Sequence, residues 1–360
     1  MRFSFNSEYH CKKLNDVCDV RDGTHDSPKY VKHGYPFITS KNLLDNGTID
    51  FYNVSYICEE DYKAYSKRSK PDVGDILFGM IGTIGKPVII KEKRKFAIKN
   101  VALIKQKREI LNEYLLFKLS SKSILSQFKK NTDGGTQQFI SLSNIRNLKI
   151  CYPDIQEQHK VKSFLMLLDE RINTQNKIIE KYKSLIKCIC DSAEMSANRQ
   201  LKDIANYNSS IIKESIVLNE GKYPVFGAAG ICGYLDDYVF SKAGIAIVKD
   251  GAGVGRLLKI KNDKYSILGT MGLIETKNGI SQDYLWLSLK KIKFEKYIVG
   301  SGIHHIYFYD YSSAKIPSLT DENFIRAKLC DLLLEKIKID EDILTNYLKQ
   351  KTFLLNNLFI

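Results

Sequence analysis

Gly82-Thr83-Ile84-Gly85-Lys86 has the outline of a phosphate loop, in which backbone amides and a lysine cradle a nucleotide. A P-loop needs Gly-x4-Gly-Lys-Ser/Thr, and here Met80 stands in the first glycine's place and Pro87 in the hydroxyl's. Gly251-Ala252-Gly253-Val254-Gly255 is followed by Arg256 where a dinucleotide fingerprint requires its third glycine. His304 and His305 are adjacent rather than one helical turn apart, so the two rings cannot readily share a metal on regular structure. Pro71-Asp72 and Pro153-Asp154 could each open a nuclease metal site. Neither is followed within about 20 residues by the carboxylate-x-Lys that would hold the ion and orient water. There is no Pro-Pro pair, hence no Asn-Pro-Pro-aromatic site for amino methylation. No catalytic constellation emerges, and no metal or cofactor is expected in this chain.

The same loops can place a cation beside a nucleic acid. Gly82 and Thr83 lead to Lys86, and Gly253 leads to Arg256. Glycine lets backbone approach a phosphate closely, and the terminal base then neutralises it, although a plain hairpin with a solvated base reads the same way. Gln137-Gln138 and His304-His305 are donor–acceptor pairs on turns, and glutamine can read adenine through two hydrogen bonds. Turn capping is the alternative use, as it is for Thr39-Ser40-Lys41-Asn42 on a polar loop. The net charge of +14 favours phosphate backbones as partners, while lysine-rich coding would produce the same excess.

These loops must be carried by about two globular units, given 360 residues at roughly 150 per domain. A hydrophobic content of 44% supplies material for genuine cores and excludes wholesale disorder. No run approaches the roughly 18 apolar residues of a membrane span, and the residues from Met1 to Asn6 lack a signal peptide's apolar stretch. Eight cysteines are too sparse for a disulfide framework, and Cys188-Ile189-Cys190 fits neither a zinc knuckle nor a redox motif. A reduced, cytoplasmic protein is expected.

An internal repeat organises the chain. Residues 155–192 and 321–358 both read as long amphipathic helices without Gly or Pro, each about 57 Å long. Each follows a short strand ending in proline, Pro153 or Pro317. Four further anchors recur in order: Leu14-Asn15-Asp16-Val17 with Leu201-Lys202-Asp203-Ile204, Tyr35-Pro36 with Tyr223-Pro224, Gly74 to Lys86 with Gly244 to Arg256, and Gly135 to Phe139 with Gly302 to Ile306. Short β-branched and aromatic runs between them predict twisted sheet, with small helices over 112–130 and 281–296. The first long helix carries a heptad seam of Val161, Leu165, Leu168, Ile172, Gln175, Ile179, Tyr182, Ile186 and Ile189. The matching frame of the second is Arg326, Cys330, Leu333, Ile337, Asp340, Leu344, Tyr347, Lys351 and Leu354. Gln175 and Asp340 occupy the middle of the two sets, so an antiparallel pair would set them face to face. The expected fold is α+β: mixed domains at 1–153 and 196–318, and helices at 154–195 and 319–360 forming an antiparallel coiled coil with a pseudo-twofold repeat.

With those residues in view, the chain resembles the specificity subunit of type I restriction–modification systems over nearly its whole length. Gly74-Asp75-Ile76-Leu77 running to Gly82-Thr83-Ile84-Gly85-Lys86 looks like the family's recurrent motif. So does Pro153-Asp154-Ile155-Gln156-Glu157-Gln158 at the head of the first helix; the second helix, after Pro317-Ser318-Leu319-Thr320-Asp321-Glu322-Asn323, lacks the Gln-Glu-Gln. The resemblance implies two target-recognition domains reading a bipartite double-stranded DNA site, one domain per half, without catalysis of their own. The paired helices would act as a ruler and dock modification subunits that methylate adenine with S-adenosylmethionine. Restriction (helicase-nuclease) subunits, using ATP and Mg, would cleave. A stand-alone DNA- or RNA-binding regulator and a specificity factor of a related phage-defence methylation system are the rival readings.

Overall fold

The same succession of strands is laid down twice along the chain. The structure, a computed structural model, describes residues 9–44, 46–81, 85–131, 139–277 and 279–359. Unit 1 comprises residues Met1–Gln175 and Ile343–Ile360, and unit 2 comprises Asn176–Asp342.

Unit 1 begins with β1 (His10–Lys13), the short α1 (Leu14–Val17) and β2 (Cys18–Asp22). There follow β3 (Tyr35–Ile38), β4 (Ser55–Ile57), α2 (Glu59–Ser69), β5 (Ile76–Gly79), β6 (Pro87–Ile89), β7 (Ala97–Ile98) and β8 (Val101–Gln106). Helices α3 (Asn112–Leu119), α4 (Lys122–Asn131) and α5 (Leu142–Arg146) lead to β9 (Lys149–Tyr152) and the long α6 (Ile155–Ser192). The sheets are β1-β9, β2-β8-β5-β6 and β4-β3-β7.

Unit 2 repeats the plan with β10 (Met195–Gln200), α7 (Leu201–Ile204), β11 (Ala205–Ser209), β12 (Tyr223–Gly227) and β13 (Gly230–Leu235). It continues through β14 (Gly244–Val248), β15 (Leu257–Ile260), β16 (Ser266–Ile267), β17 (Met271–Thr276), α8 (Gln282–Lys291), α9 (Phe308–Tyr311), β18 (Lys315–Pro317) and α10 (Asp321–Asn357). Its sheets, β10-β18, β11-β17-β14-β15 and β13-β12-β16, match those of unit 1 strand for strand. The one parallel pair of each unit recurs as well, β3 with β7 and β12 with β16.

Strands β5 and β14 are buried along their whole length, which explains their unbroken apolar runs. Alternate residues of β5 serve two cores. Ile76 and Phe78 join Leu14, Val17, Ile104 and Leu115 on one face, while Leu77 joins Ile38, Val88, Phe96 and Leu103 on the other. The first of these cores also takes in Leu165 of α6 and Leu358 and Phe359 beyond α10, so the chain's last described residues complete unit 1.

Each long helix leaves its globule through one buried amide. Gln158 is fully buried; its Nε2 donates to the carbonyls of Glu109 (3.0 Å) and Pro153 (2.9 Å), and its Oε1 accepts from Leu111 N (2.9 Å). Asn323 stands at the repeat-equivalent position in unit 2, also fully buried, with Nδ2 donating to Glu194 O (3.1 Å) and Ser318 O (3.0 Å). The second junction therefore keeps the latch with a shorter amide, although the Gln-Glu-Gln is gone.

None of the nine seam positions on either helix is exposed. In unit 1 the two helices run antiparallel, with Leu165 sharing a core with Leu358 and Asp169 meeting Lys351 Nζ at 2.6 Å. In unit 2 Lys183 lies 3.9 Å from Glu341, and the Cys190 and Cys330 thiols lie close enough to interact. Among the described residues Gln175 Nε2 has no hydrogen-bond partner, and Asp340 takes Lys336 from its own helix at 3.2 Å.

Two expectations are corrected. The small helices over 112–130 and 281–296 are each broken, at Ser120-Ser121 and at Ile292, because Ser120 Oγ caps back onto Leu116 O and Ile292 is extended. The chain is not wholly reduced: Cys11 and Cys151 form a disulfide across the β1–β9 ribbon, where they are direct partners despite a separation of 140 residues. The other six cysteines are free thiols. Among the described residues no helix is long and apolar enough to cross a membrane.

Replacing Gln158 by alanine should lower stability by about 2–4 kcal/mol, since three hydrogen bonds go and buried backbone groups are stranded. Urea unfolding of the full chain measures it. A loss below about 0.5 kcal/mol, the level of an ordinary surface substitution, would show that the amide does not hold the junction.

Candidate nucleic-acid interface

In unit 1 the described candidate Lys86 lies just before β6, at one end of the four-stranded sheet. There β2 ends opposite the start of β8 (Asp22 with Ala102), and β5 ends beside it (Gly79 with Val101). Beyond β5 the chain turns back into β6 through Gly85, whose φ of +81° suits glycine, and Lys86. The segment that follows Gln137-Gln138 returns to this edge, with Phe139 bridging Ile81 and Ile140 N donating to Met80 O at 2.9 Å. Gly82, Thr83, Gln137 and Gln138 themselves lie outside the described residues.

Unit 2 builds the same end. Val248 pairs with Met271, and the hairpin from β14 to β15 turns through Gly251 and Gly255, with φ of +99° and +86°. Arg256 is exposed at its close. The His304-His305 segment runs beside the hairpin, with Asp250 bridging His305 and Gly251 N donating to His304 O at 2.9 Å. Sequence-distant Gly253, Arg256, His304 and His305 are therefore brought together. The two histidines differ in role. His305 Nδ1 is pinned to Asp250 Oδ1 at 2.7 Å, whereas the His304 ring is exposed and touches only Gly300 O at 3.1 Å.

Thr39-Ser40-Lys41-Asn42 is a single 3₁₀ turn capped by its own side chains. Asn42 Oδ1 accepts from Thr39 N and Oγ1, both at 2.9 Å, and Asn42 Nδ2 donates to Asn53 O at 2.9 Å. Ser40 Oγ donates to Asn100 O at 3.2 Å. Ser40 and Asn42 are buried and so engaged in capping the turn, while Lys41 is exposed.

Sequence reasoning missed a polar group at the same edge. His25 has Nε2 3.2 Å from Asp22 Oδ2 and Nδ1 2.6 Å from Asn100 Oδ1, and Arg68 of α2 closes onto the other Asp22 oxygen. Asn100 is the one non-glycine residue with positive φ (52°) among those described, a strain that structures tolerate mainly where the position is over-determined. Gly23 is required between them, because a Cβ would sit 2.4 Å from Ile98 O. The polar run from Asp22 to Ser27 was the available signal. Asp72, considered as a metal ligand, is instead held by Lys105 at 3.0 Å; that hydrogen bond keeps its carboxyl below the usual range, against its partial burial. Among the described residues no group of three or more His, Cys, Asp or Glu could hold a metal ion.

The sequence matches the model of the type I restriction modification DNA specificity domain twice, over residues 6–183 and 194–351. A putative type I restriction enzyme specificity subunit from Haemophilus influenzae is 26% identical over 228 residues, covering 58% of this chain and 52% of that protein. One from Methanocaldococcus jannaschii is 30% identical over 186 residues, covering 48% and 42%. The chain spans about half the length of the curated relatives it matches. The crystal structure of a type I S subunit from M. genitalium covers 100% of this chain and 98% of its own, with a TM-score of 0.71 at 17% identity. A chain from a study of type I restriction–modification complex assembly aligns over 98% of both, with a TM-score of 0.54 at 14% identity.

The hairpin glycines separate by environment. A Cβ on Gly255 would meet Phe294 Cβ at 2.9 Å at a φ of +86°, whereas on Gly253 it would meet only Val248 at 3.8 Å. Gly255→Ala should destabilise by about 1–3 kcal/mol, and Gly253→Ala should be neutral or slightly stabilising. Equal unfolding midpoints for the two variants would contradict this turn geometry.

Proposed function

Because the chain belongs to the type I restriction–modification DNA specificity family, we propose that it is the DNA-recognition subunit of such a complex. Each unit reads one half of a bipartite double-stranded target, and the chain performs no catalysis itself. The observation that carries this reading is the duplicated sheet end. In both units a turn through a glycine, Gly85 or Gly255, closes on a base, Lys86 or Arg256, and a returning segment bridges the same edge, Phe139 to Ile81 and His305 to Asp250. Duplication followed by divergence suits a scaffold that must present two different short sequences to the major groove. We assign target-recognition domains to 1–153 and 196–318, and helices at 154–195 and 319–360 to docking modification subunits.

Methyl transfer from S-adenosylmethionine, and ATP- and Mg-dependent cleavage, belong in this scheme to partner modification and restriction subunits in the cytoplasm. The absence of a catalytic constellation in the sequence supports that division of labour. In unit 1, Lys41 and Lys86 neutralise phosphates, while Gln137, Gln138 and the edge residues His25 and Asn100 face the bases. In unit 2, Arg256 neutralises a phosphate and His304 reads, with His305 positioning the hairpin through Asp250. The direct test is the adenine methylome of cells carrying the modification subunits, with and without this gene: one bipartite motif should disappear with it.

Lys86→Ala and Arg256→Ala should each weaken binding to all sequences and lower the salt slope by about one unit. Substituting Gln137 or Gln138 should instead change half-site preference, by about 1–3 kcal/mol per lost bidentate contact. Binding isotherms across a salt series decide. A sequence-dependent effect of Lys86→Ala with an unchanged slope would reverse these assignments.

A further inference from the structure

A second charged surface lies away from the reading edge. Lys91-Glu92-Lys93-Arg94-Lys95 leaves β6 at the end opposite the glycine hairpin, and all five residues are exposed. Among the described residues none of its four cations is ion-paired. Beside it is a groove of about 300 Å³ lined by Ile49, Phe51, Tyr52, Tyr56, Glu92 and Arg94. The Arg94 guanidinium lies over the Phe51 ring, 4.6 Å from its centroid.

Tyr52 is 96% exposed, which is unusual for so large a ring. Its backbone is nonetheless rigidly held. Asp50 Oδ1 accepts from Tyr52 N at 2.8 Å and Asn53 N at 3.2 Å, and Asp50 Oδ2 accepts from Asn53 Nδ2 at 2.8 Å. Asn42 ties the same turn down from below through Asn53 O at 2.9 Å and Asp50 O at 3.4 Å. The Thr39–Asn42 turn thus buttresses an aromatic platform. A backbone held in place lowers the entropy lost when something stacks on the ring it carries.

We infer that this groove is a sequence-tolerant binding site for single-stranded nucleic acid, separate from the duplex-reading edge. Unpaired bases stack on Tyr52 and the Arg94 plane, and the backbone runs along Lys91, Lys93 and Lys95. Aromatic rings flanked by unpaired cations are the chemistry of single-strand sites, because every base has a π-face while a duplex hides its own. A duplex or an acidic protein would use the lysines but gain nothing from Tyr52. Glu92 adds a bias: its carboxylate accepts hydrogen bonds from an exocyclic amine, so cytosine is favoured over thymine.

The test titrates the full-length protein into labelled oligo(dC), oligo(dT) and a mixed-sequence duplex. Tyr52→Ala should weaken single-strand binding about tenfold, the size of one lost stacking contact, and leave duplex binding unchanged. Tyr52→Phe should retain it. Replacing Lys91, Lys93 and Lys95 by alanine should lower the single-strand salt slope by about two units, at 0.7 per phosphate. Glu92→Ala, which removes the acceptor, should abolish the preference for oligo(dC). Failure of the wild type to bind single strands overturns the inference, as does indifference to Tyr52→Ala. Parallel loss of duplex binding would overturn it too, by assigning the groove to the duplex interface. Displacement by poly-glutamate as effective as by oligonucleotide would indicate an acidic protein instead. Lys86→Ala and Arg256→Ala, which act on duplex binding, keep failure here distinct from failure of the proposed function.

Discussion

The architecture depends on one buried amide per unit. A chain leaving a small sheet for a long helix must turn sharply, and a turn buries carbonyls that need donors. Gln158 meets this in unit 1 by donating to Glu109 O and Pro153 O, and Asn323 does so in unit 2 with Glu194 O and Ser318 O. Such a group can be replaced only by another amide of suitable reach, because an apolar residue would strand the carbonyls and a carboxylate cannot donate to them. The junction lies near the end of the sheet where β2 begins, at Cys18 opposite Gln106, and Gln106 Oε1 takes the first amide of α3 at 2.9 Å. The glycine-hairpin edge lies at the other end, at Asp22. Strand length thus separates what fixes the helix from that edge.

That separation lets the two hairpin edges diverge over a constant frame. Unit 1 adds α2 beside its edge and brings Arg68 onto Asp22, whereas unit 2 extends a β12–β13 ribbon in that part of the chain. The hairpin and the returning segment persist because they are held by backbone pairing, Ile81 with Phe139 and Asp250 with His305, which any side chain permits. Side chains at the edge can change without disturbing the sheet beneath.

Repeat and seam were legible because they are periodic. Apolar residues at heptad spacing mark one helix face whatever packs on it, and proline before each helix marks the boundary. Features that depend on distant partners were not legible. Cys11 and Cys151 are 140 residues apart and meet only through the ribbon. Helix α2 buries little beyond Tyr62 and Ser69, so it has almost no apolar period; its signal was acidic residues at 59–61 and basic ones at 67–68, matched to the helix dipole. Ser40 and Asn42 illustrate a deeper ambiguity, since a polar residue on a turn has the same donors whether it caps the turn or reads a base. His25 and Asn100 fall to the same ambiguity, as their pairing joins loops 75 residues apart.

Periodicity alone does not fix the register of the long helices. A heptad seam repeats itself every seven residues, so the pattern is nearly indifferent to how far one helix has slid. The phase is set instead where each helix docks on its own globule. In unit 1, Leu358 and Phe359 are locked into the core that holds Leu165. In unit 2, Asp331 is anchored by Lys259 at 2.7 Å and Lys261 at 3.1 Å, with the Asp331 and Lys259 side chains both only 8% exposed. Burial would raise the Asp331 carboxyl, but the hydrogen bonds from the two lysines hold it below its ordinary value. Breaking such a buried pair costs about 3–5 kcal/mol. A polar layer worth about 1 kcal/mol adds little to constraints of that size. Among the described residues Gln175 Nε2 has no hydrogen-bond partner, and Asp340 takes Lys336 from its own helix.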